Sequence, residues 1–431
     1  MRRLSFLLVL ILVFNLLVGC GDTGTGITTT DTSVSSNGLS SESTSSVDAS
    51  SNENVTIDLD TVITETAFPE NYVEPKPIQY VFENKTLVKH YADNISLYKY
   101  CGHWQADEND PHTFVSYWNI AYVEVDFTGK AVYLEFSKSS NINVSVDGGE
   151  FVPYYNVSGI KKIEAVSDGK HTVKIKNGAP SSYSIQDHIY FAGASVPKEQ
   201  TLTRTADKPH YVQFIGDSIS EDRLSHAHTS ADILGWDYSV AAKSGISLQT
   251  GRGYWGTSNP NMLGIIGESV GMEDAFFKLG LPQDTMSDED KQRYYNYLND
   301  ESLNFNFKTG KTPDVVFIFL GTNDGLKASS DREGFVQHYS DFVDEILKVY
   351  GNKPQIFIMQ ALSAVNQERY ISIDTAGEEI VERHPTKVTF INRNTVDSWE
   401  VEISADGTHP SADGYVTLSA RVAEFLCEHF K

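Results

Sequence analysis

Near its C-terminus the chain reads Asp406-Gly407-Thr408-His409-Pro410, with an acid three residues ahead of a histidine. Imidazole titrates near neutral pH, so His409 is a candidate general base. A carboxylate at Asp406 could accept a hydrogen bond from one ring nitrogen, fix the tautomer and stabilise the imidazolium. Such a base could serve a serine, whose hydroxyl is a poor nucleophile until a neighbour takes its proton. Ser218, in Gly216-Asp217-Ser218-Ile219, is the candidate. A second pair, His384-Pro385, has Val381 in place of the acid and precedes the last predicted strand. It reads as a loop histidine.

The elements that must position these residues begin at His210. Apolar runs "YVQFIG", "DYSVAA", "DVVFIFLG", "QIFIMQA" and "VTFIN" alternate with other segments. Near-continuous Val, Ile and Phe predict a parallel sheet buried on both faces. "EGFVQHYSDFVDEILKVYG" and "SADGYVTLSARVAEFLCEHF" carry helical period. Together they predict a three-layer α/β domain over 208–431. Sites in such sheets form beyond the carboxyl ends of the strands. There the sequence places Gly216-Asp217-Ser218-Ile219, then "AKSGISL" with Gly245, then Gly321-Thr322-Asn323-Asp324, and finally Asp406-x-x-His409.

These four stretches, in this order, resemble the blocks of the SGNH (GDSL-type) hydrolases, over roughly His210 to the end. The resemblance implies a serine esterase with catalytic Ser218, His409 and Asp406. It implies an oxyanion hole made by the backbone N–H groups of Ser218 and Gly245 and the side-chain amide of Asn323. Losing one such donor typically costs about 3–4 kcal/mol in the barrier. No cofactor and no metal are implied. The structural alternatives are Ser218 as a helix cap and Asn323 as a turn residue. Asp217 is expected to brace its loop, and Asp324 to be structural.

The serine block departs from the family pattern after the isoleucine. Relatives often continue Thr-x-Gly; here the chain reads Ser220-Glu221-Asp222. Two acids beside the pocket would disfavour bulky anionic substrates. His226 and His228 could join them as metal ligands, but a metal site needs a converging set. Both are expected to be surface or capping residues. "QTGRGYWGTSNP" follows the glycine block, and Tyr254 and Trp255 could stack on a sugar ring or simply pack on the core. The stretch from 255 to 312 is long for one connection and is expected to hold extra helices around the site.

The first half of the chain is different. From Ile78 to Ala194 short alternating strands and turn residues predict a β-sandwich over 76–196. "AYVEVDF" and "AVYLEF" are separated by Thr-Gly-Lys, and "INVSV" meets Asp147-Gly148, a strong hairpin pair. "GASVPKEQTLTRTADKP" reads as an inter-domain connector. A sandwich leading into an SGNH domain resembles carbohydrate esterase family two, which removes acetyl groups from xylan and glucomannan. That resemblance implies an N-terminal jelly roll and an acetylated polysaccharide as substrate. Deacetylation of cell-wall glycans and a short-acyl lipase or thioesterase activity are the enzymatic alternatives. A carbohydrate-binding lipoprotein without catalysis is the alternative of another class.

Arg2 and Arg3 precede an apolar run ending Leu17-Val18-Gly19-Cys20. This reads as a secretory signal, and its end resembles the bacterial lipobox. The resemblance implies cleavage after residue 19, a lipid on Cys20 and anchoring outside a bacterial membrane. Residues 20–75, rich in Ser, Thr and Gly and then acidic, are expected to be a disordered tether. Roughly 55 such residues reach about 40 Å. The whole chain carries 34 Lys and Arg against 58 Asp and Glu, a net charge of −24. Such a surface repels phosphate backbones and excludes nucleic acid as a partner. Besides Cys20, Cys101 and Cys427 are expected to be buried free thiols, with Cys427 on the apolar stripe of the last helix.

Overall fold

The computed structural model describes residues 72–178, 187–221, 225–252, 269–281, 297–324, 331–362 and 367–430. The expected signal peptide, Cys20 and nearly all of the tether lie outside them. The last tether residues are already fastened down. Tyr72 Oη donates to Asn94 Oδ1 at 3.3 Å, and Asn94 Nδ2 donates to Glu74 Oε1 at 3.0 Å.

Alternating apolar residues build the first sheet. Its strands are β1 (Ile78–Phe82), β2 (Lys85–His90), β3 (Lys99–Cys101), β4 (Gln105–Asp107), β5 (Asp110–Ser116), β6 (Tyr122–Thr128), β7 (Ala131–Val146), β8 (Val152–Glu164), β9 (Lys170–Asn177), β10 (Ile189–Pro197) and β11 (Leu202–Thr203). Every pairing among them is antiparallel. Strand β7 organises the sheet. One of its edges meets β8, while the other meets β10 near Tyr133–Phe136 and β9 along Ile142–Val146. Breaks in register between Phe136 and Ile142 let the long strand change partners. Val123, Val125, Phe127, Leu134, Phe136, Ile175 and Phe191 form the core beneath it.

Two turns show how local chemistry and topology divide the work. Asp147 and Gly148 take φ of 55° and 70°, and Gly149 N–H closes on Val146 C=O at 3.0 Å. Both residues are thus in the left-handed region a type I′ hairpin needs, and β7 and β8 pair. Thr128-Gly129-Lys130 also joins neighbouring strands, but β6 pairs with β3, β9 and β11, not with β7. The connector expected at 193–209 is partly sheet, since β10 extends to Pro197 and β11 pairs with β6.

The second sheet is parallel, in the order β13-β12-β14-β15-β16: β12 (Tyr211–Gly216), β13 (Asp237–Ala242), β14 (Val315–Phe319), β15 (Gln355–Met359) and β16 (Val388–Ile391). Strands β12 and β14, and the edge strand β13, are buried at every position. Helices follow: α1 (Ser218–Glu221), α2 (His226–Leu234), α3 (Met272–Ala275), α4 (Arg332–Val349), α5 (Gln367–Arg383), α6 (Arg393–Ser398) and α7 (Ala412–His429). The chain leaves β12 in one direction to β13 and in the other from β14 to β16. Right-handed crossovers then set α2 on one face and α4 and α5 on the other. Helix α7 packs on α2.

The two sheets share their packing. Cys101, Val115, Tyr117, Trp118 and Tyr122 belong to the same apolar cluster as β12 and β14. Lys99 Nζ lies 2.9 Å from Asp237 Oδ1 and 2.5 Å from Glu124 Oε2, all three buried. The described parts of the 255–312 insertion, α3 and two single turns at Tyr297–Asn299 and Glu301–Leu303, are held from the first sheet. His103 stacks on Phe305 at 4.1 Å and its Nδ1 meets Lys278 C=O at 3.0 Å. His188 Nε2 meets Leu281 C=O at 2.7 Å.

Cys101 is buried as expected, but Cys427 is exposed. The buried stripe of α7 runs through Tyr415, Leu418, Val422 and Leu426. Cys427 is one residue past it, turned by a helical step of about 100°. Among the described residues no helix is long and apolar enough to cross a membrane.

Candidate active site

Strand β12 is the switch point of the second sheet, because its neighbours β13 and β14 are reached in opposite directions. Gly216, Ala242 and Phe319 are level in register. The loops beginning at Asp217, Lys243 and Leu320 therefore leave the sheet side by side. This is how three blocks far apart in sequence come to one edge.

Ser218 is half-buried and opens α1, a helix of only four residues. Such a short helix needs anchors, and it has three. Asp217 Oδ1 accepts Ile219 N–H at 3.0 Å. Ser220 Oγ meets His226 Nε2 at 3.0 Å, both groups being buried. Glu221 Oε2 accepts Ser244 N–H at 2.5 Å and its other oxygen lies 3.6 Å from Lys243 Nζ. The glycine at 216 is required by close approach: a Cβ there would stand 2.2 Å from Ser220 Oγ. Asp217 braces the turn as expected. Burial pushes its carboxyl up to about 6.

His409 comes from the far end of the chain. The expected last strand is followed first by α6, and then by a tight loop over Ile403–Pro410. Ser404 N–H donates to His409 C=O at 2.8 Å, and Gly407 sits at φ 71°. Within this loop Asp406 Oδ1 accepts the N–H groups of Thr408 and His409 at 2.8 and 2.9 Å, while Oδ2 meets His409 Nδ1 at 2.7 Å. The backbone N–H groups of His409 and Thr408, then the imidazole, hold the Asp406 carboxyl well below the usual carboxylate range. Across the sheet edge His409 Nε2 lies 2.7 Å from Ser218 Oγ. Serine, histidine and aspartate are thus one chain of hydrogen bonds.

The glycine and asparagine blocks are locked to each other. Lys243 to Ile246 form a turn closed by Ile246 N–H to Lys243 C=O at 3.1 Å. Gly245 sits in it at φ 80°, a conformation L side chains rarely adopt. Asn323 Nδ2 donates one hydrogen to Ile246 C=O at 2.9 Å, leaving its second N–H. Asp324 accepts Leu248 and Gln249 N–H at 2.9 and 3.1 Å, so it is structural as expected. Burial pushes its carboxyl up to about 6, against those two N–H groups. Among the described residues Gly245 N–H finds no acceptor.

Other expectations change. Glu221 is buried and turned toward Ser244, so it does not present its charge to a substrate; Asp222 lies outside the described residues. His226 is buried rather than a surface or capping residue. It packs edge-on against Phe214 and Phe319, and burial lowers its imidazole to about 3. Ser225 is the residue that caps α2, through Ala227 N–H. His228 is half-buried. Tyr254 and Trp255 lie outside the described residues. Among those described, no three His, Cys, Asp or Glu side chains converge as metal ligands. His384 follows α5 and its Nε2 pairs with Asp344 Oδ1 at 2.5 Å, a structural role.

No family model matches the sequence, and no curated protein does. Solved structures match over most of their length. A family two carbohydrate esterase from Clostridium thermocellum, in complex with cellohexaose, is 19% identical with a TM-score of 0.55, covering 77% of this chain and 98% of that one. The fold is that of the family two carbohydrate esterases. An acetyl xylan esterase from Butyrivibrio proteoclasticus aligns over 79% of this chain and 98% of its own, at 14% identity and TM-score 0.58. A salicylyl-acyltransferase from a tetracycline biosynthetic pathway shares this esterase fold at 11% identity and TM-score 0.50, over 79% and 98%.

Sequence reasoning missed what holds this esterase-fold site together. The Glu221–Ser244 bond and the two bonds that Asp324 accepts run between segments distant in sequence, while the Ser220–His226 pair joins α1 to the start of α2. Glu221 occupies the variable position of the family's Thr-x-Gly pattern, so nothing in the sequence marked the first of them.

Proposed function

We propose that this protein is an exported serine esterase that removes O-acetyl groups from polysaccharides. The observation that carries the reading is the Ser218–His409–Asp406 chain of hydrogen bonds at the switch point of the sheet. His409 Nε2 takes the Ser218 proton as Oγ attacks the acetyl carbonyl. The oxyanion is received by the N–H groups of Ser218 and Gly245 and the free amide hydrogen of Asn323. His409 then passes its proton to the departing sugar oxygen, which leaves as the alcohol with acetyl-Ser218 behind. Water, activated by the same histidine, releases acetate and restores the serine. Asp406, ionised throughout, keeps the Nδ1–H tautomer and stabilises imidazolium.

The neighbours crystallised with cellohexaose or described as an acetyl xylan esterase support a carbohydrate substrate, and the antiparallel pairing throughout the first sheet supports reading it as a jelly roll. The acyltransferase neighbour supports a second reading, in which another alcohol replaces water in the last step. The lipobox-like end at Cys20 supports a lipid anchor, with the tether letting the enzyme search the space outside a bacterial membrane. Mass spectrometry of the membrane-extracted protein that finds a lipid-modified Cys20 at the N-terminus supports the anchor; an unmodified Cys20 refutes it.

The test is acetate release from acetylated xylan, with Ser218→Ala beside the wild type. Release by the wild type and loss in the variant are expected. Full activity in the variant sinks the mechanism, and glycan binding without release establishes a binding protein instead. Acetyl appearing on an added alcohol rather than as acetate establishes the transferase.

A further inference from the structure

The glutamate at 221 stands at the variable position of the family's Thr-x-Gly pattern, and it is 2% exposed. A carboxylate cannot be left in such a place without compensation. Here the compensation comes from the two residues just before Gly245. Ser244 donates its backbone N–H to Oε2 at 2.5 Å, and the Lys243 ammonium, itself 3% exposed, lies 3.6 Å from Oε1. A hydrogen bond to an ionised acceptor is shorter and roughly twice as strong as a neutral one.

The consequence is geometric. Helix α1 carries Ser218 at its first position and Glu221 at its last. Glu221 therefore ties the nucleophile to the turn that presents Gly245. In that turn the Ser244 N–H is engaged by Glu221, and the next N–H, that of Gly245, is left over. Glycine makes the turn attainable, at φ 80°, but its freedom does not hold the peptide in one orientation. Oxyanion donors must be fixed before the reaction, within about 2.7–3.1 Å of the developing charge.

We propose that Glu221 is a positioning residue for the oxyanion hole: through Ser244 and Lys243 it fixes the Gly245 N–H relative to Ser218. The inference rests on the serine-esterase reading and deepens it. It also gives Ser220 and Glu221 one joint role, with Ser220 holding the helix through His226 and Glu221 holding the adjacent loop.

The experiment compares Glu221→Ala, Glu221→Gln and Glu221→Asp with the wild type and Ser218→Ala. Reactive serine is titrated with a fluorophosphonate, and kcat and KM for 4-nitrophenyl acetate are expressed per titrated serine. Affinity for a boronic acid that forms a tetrahedral serine adduct is measured alongside. Glu221→Ala should lower kcat about 100-fold, the scale of an ångström misplacement, with KM within about twofold. Boronate affinity should fall by a similar factor. Glu221→Gln keeps an oxygen for Ser244 N–H and should recover at least about tenfold of the loss. Glu221→Asp, the mildest change, should still lose about tenfold because its carboxylate is withdrawn by one methylene. Wild-type kcat per titrated serine in the alanine or aspartate variant overturns the proposal, as does unchanged boronate affinity. Both outcomes leave the esterase reading intact. Full activity of Ser218→Ala overturns that reading and this inference with it.

Discussion

His409 Nε2 lies 2.7 Å from Ser218 Oγ across 191 residues of chain. Helix α7 makes this meeting. Its C-terminal Phe430 packs on His210 and Trp236, at the amino ends of β12 and β13, with ring centroids 5.0 and 5.5 Å away. Its N-terminal end, capped by Ser411, lies at the carboxyl edge beside Ser218. An α-helix of this length is about 27 Å long, enough to run the height of the sheet. The base is therefore set by a rigid rod anchored at both ends.

Asp406 has two tasks, and one substitution separates them. Asp406→Asn keeps an oxygen for the Thr408 and His409 N–H groups but turns an NH₂ toward Nδ1, favouring the wrong tautomer. We expect kcat to fall at least about tenfold, yet less than the roughly 10⁴-fold seen when a buried orienting aspartate is replaced, because this carboxylate is half-exposed. Steady-state kinetics with 4-nitrophenyl acetate check this. Near-normal kcat would reduce Asp406 to a turn residue and the site to a dyad.

Asn323→Ala removes an oxyanion donor and the bond to Ile246 C=O together. Its kcat should fall by about 10²–10³, with KM little changed. A raised KM with normal kcat would place Asn323 in ground-state binding instead.

Asp324 links pH to stability. Its folded-state pKa of about 6 lies above the ordinary 3.8, so the neutral form is favoured in the fold. That contribution is fully present below about 3.8 and is lost as pH rises through about 6, about 3 kcal/mol in all. Asp324→Asn is neutral at every pH. Its melting temperature relative to wild type should therefore rise between pH 4 and pH 7. A difference that stays flat, or falls, would show that Asp324 is as ionised in the fold as out of it.

Lys99 joins the two sheets between Glu124 and Asp237, and Asp237 also meets Lys311 Nζ at 3.2 Å. Lys99→Ala leaves two buried carboxylates short of a partner and should cost about 3–5 kcal/mol. Urea unfolding reads this directly; a wild-type midpoint would mean the clamp contributes nothing to stability.

The sequence by itself determined much. Runs of Val, Ile and Phe marked β12, β14 and β15 most strongly, since a strand buried on both faces has no room for alternation. The period of apolar residues marked α4 and α7, and Asp147-Gly148 marked its hairpin, because the left-handed conformation admits few residues. Ser218 was legible because it directly follows a strand end in such a sheet, and His409 and Asp406 were legible from their spacing and the family resemblance, although α6 separates them from β16. Tertiary structure decided the rest. Neither Thr128-Gly129-Lys130 nor any local signal could tell that β6 pairs with β9 and β7 with β10, since pairing is a choice among distant partners. Burial of His226 and exposure of Cys427 depend on which face of a helix meets a neighbour. Above all, Glu221 reads in sequence as an acid beside the pocket; only the fold brings it to Ser244, where a buried carboxylate must find donors.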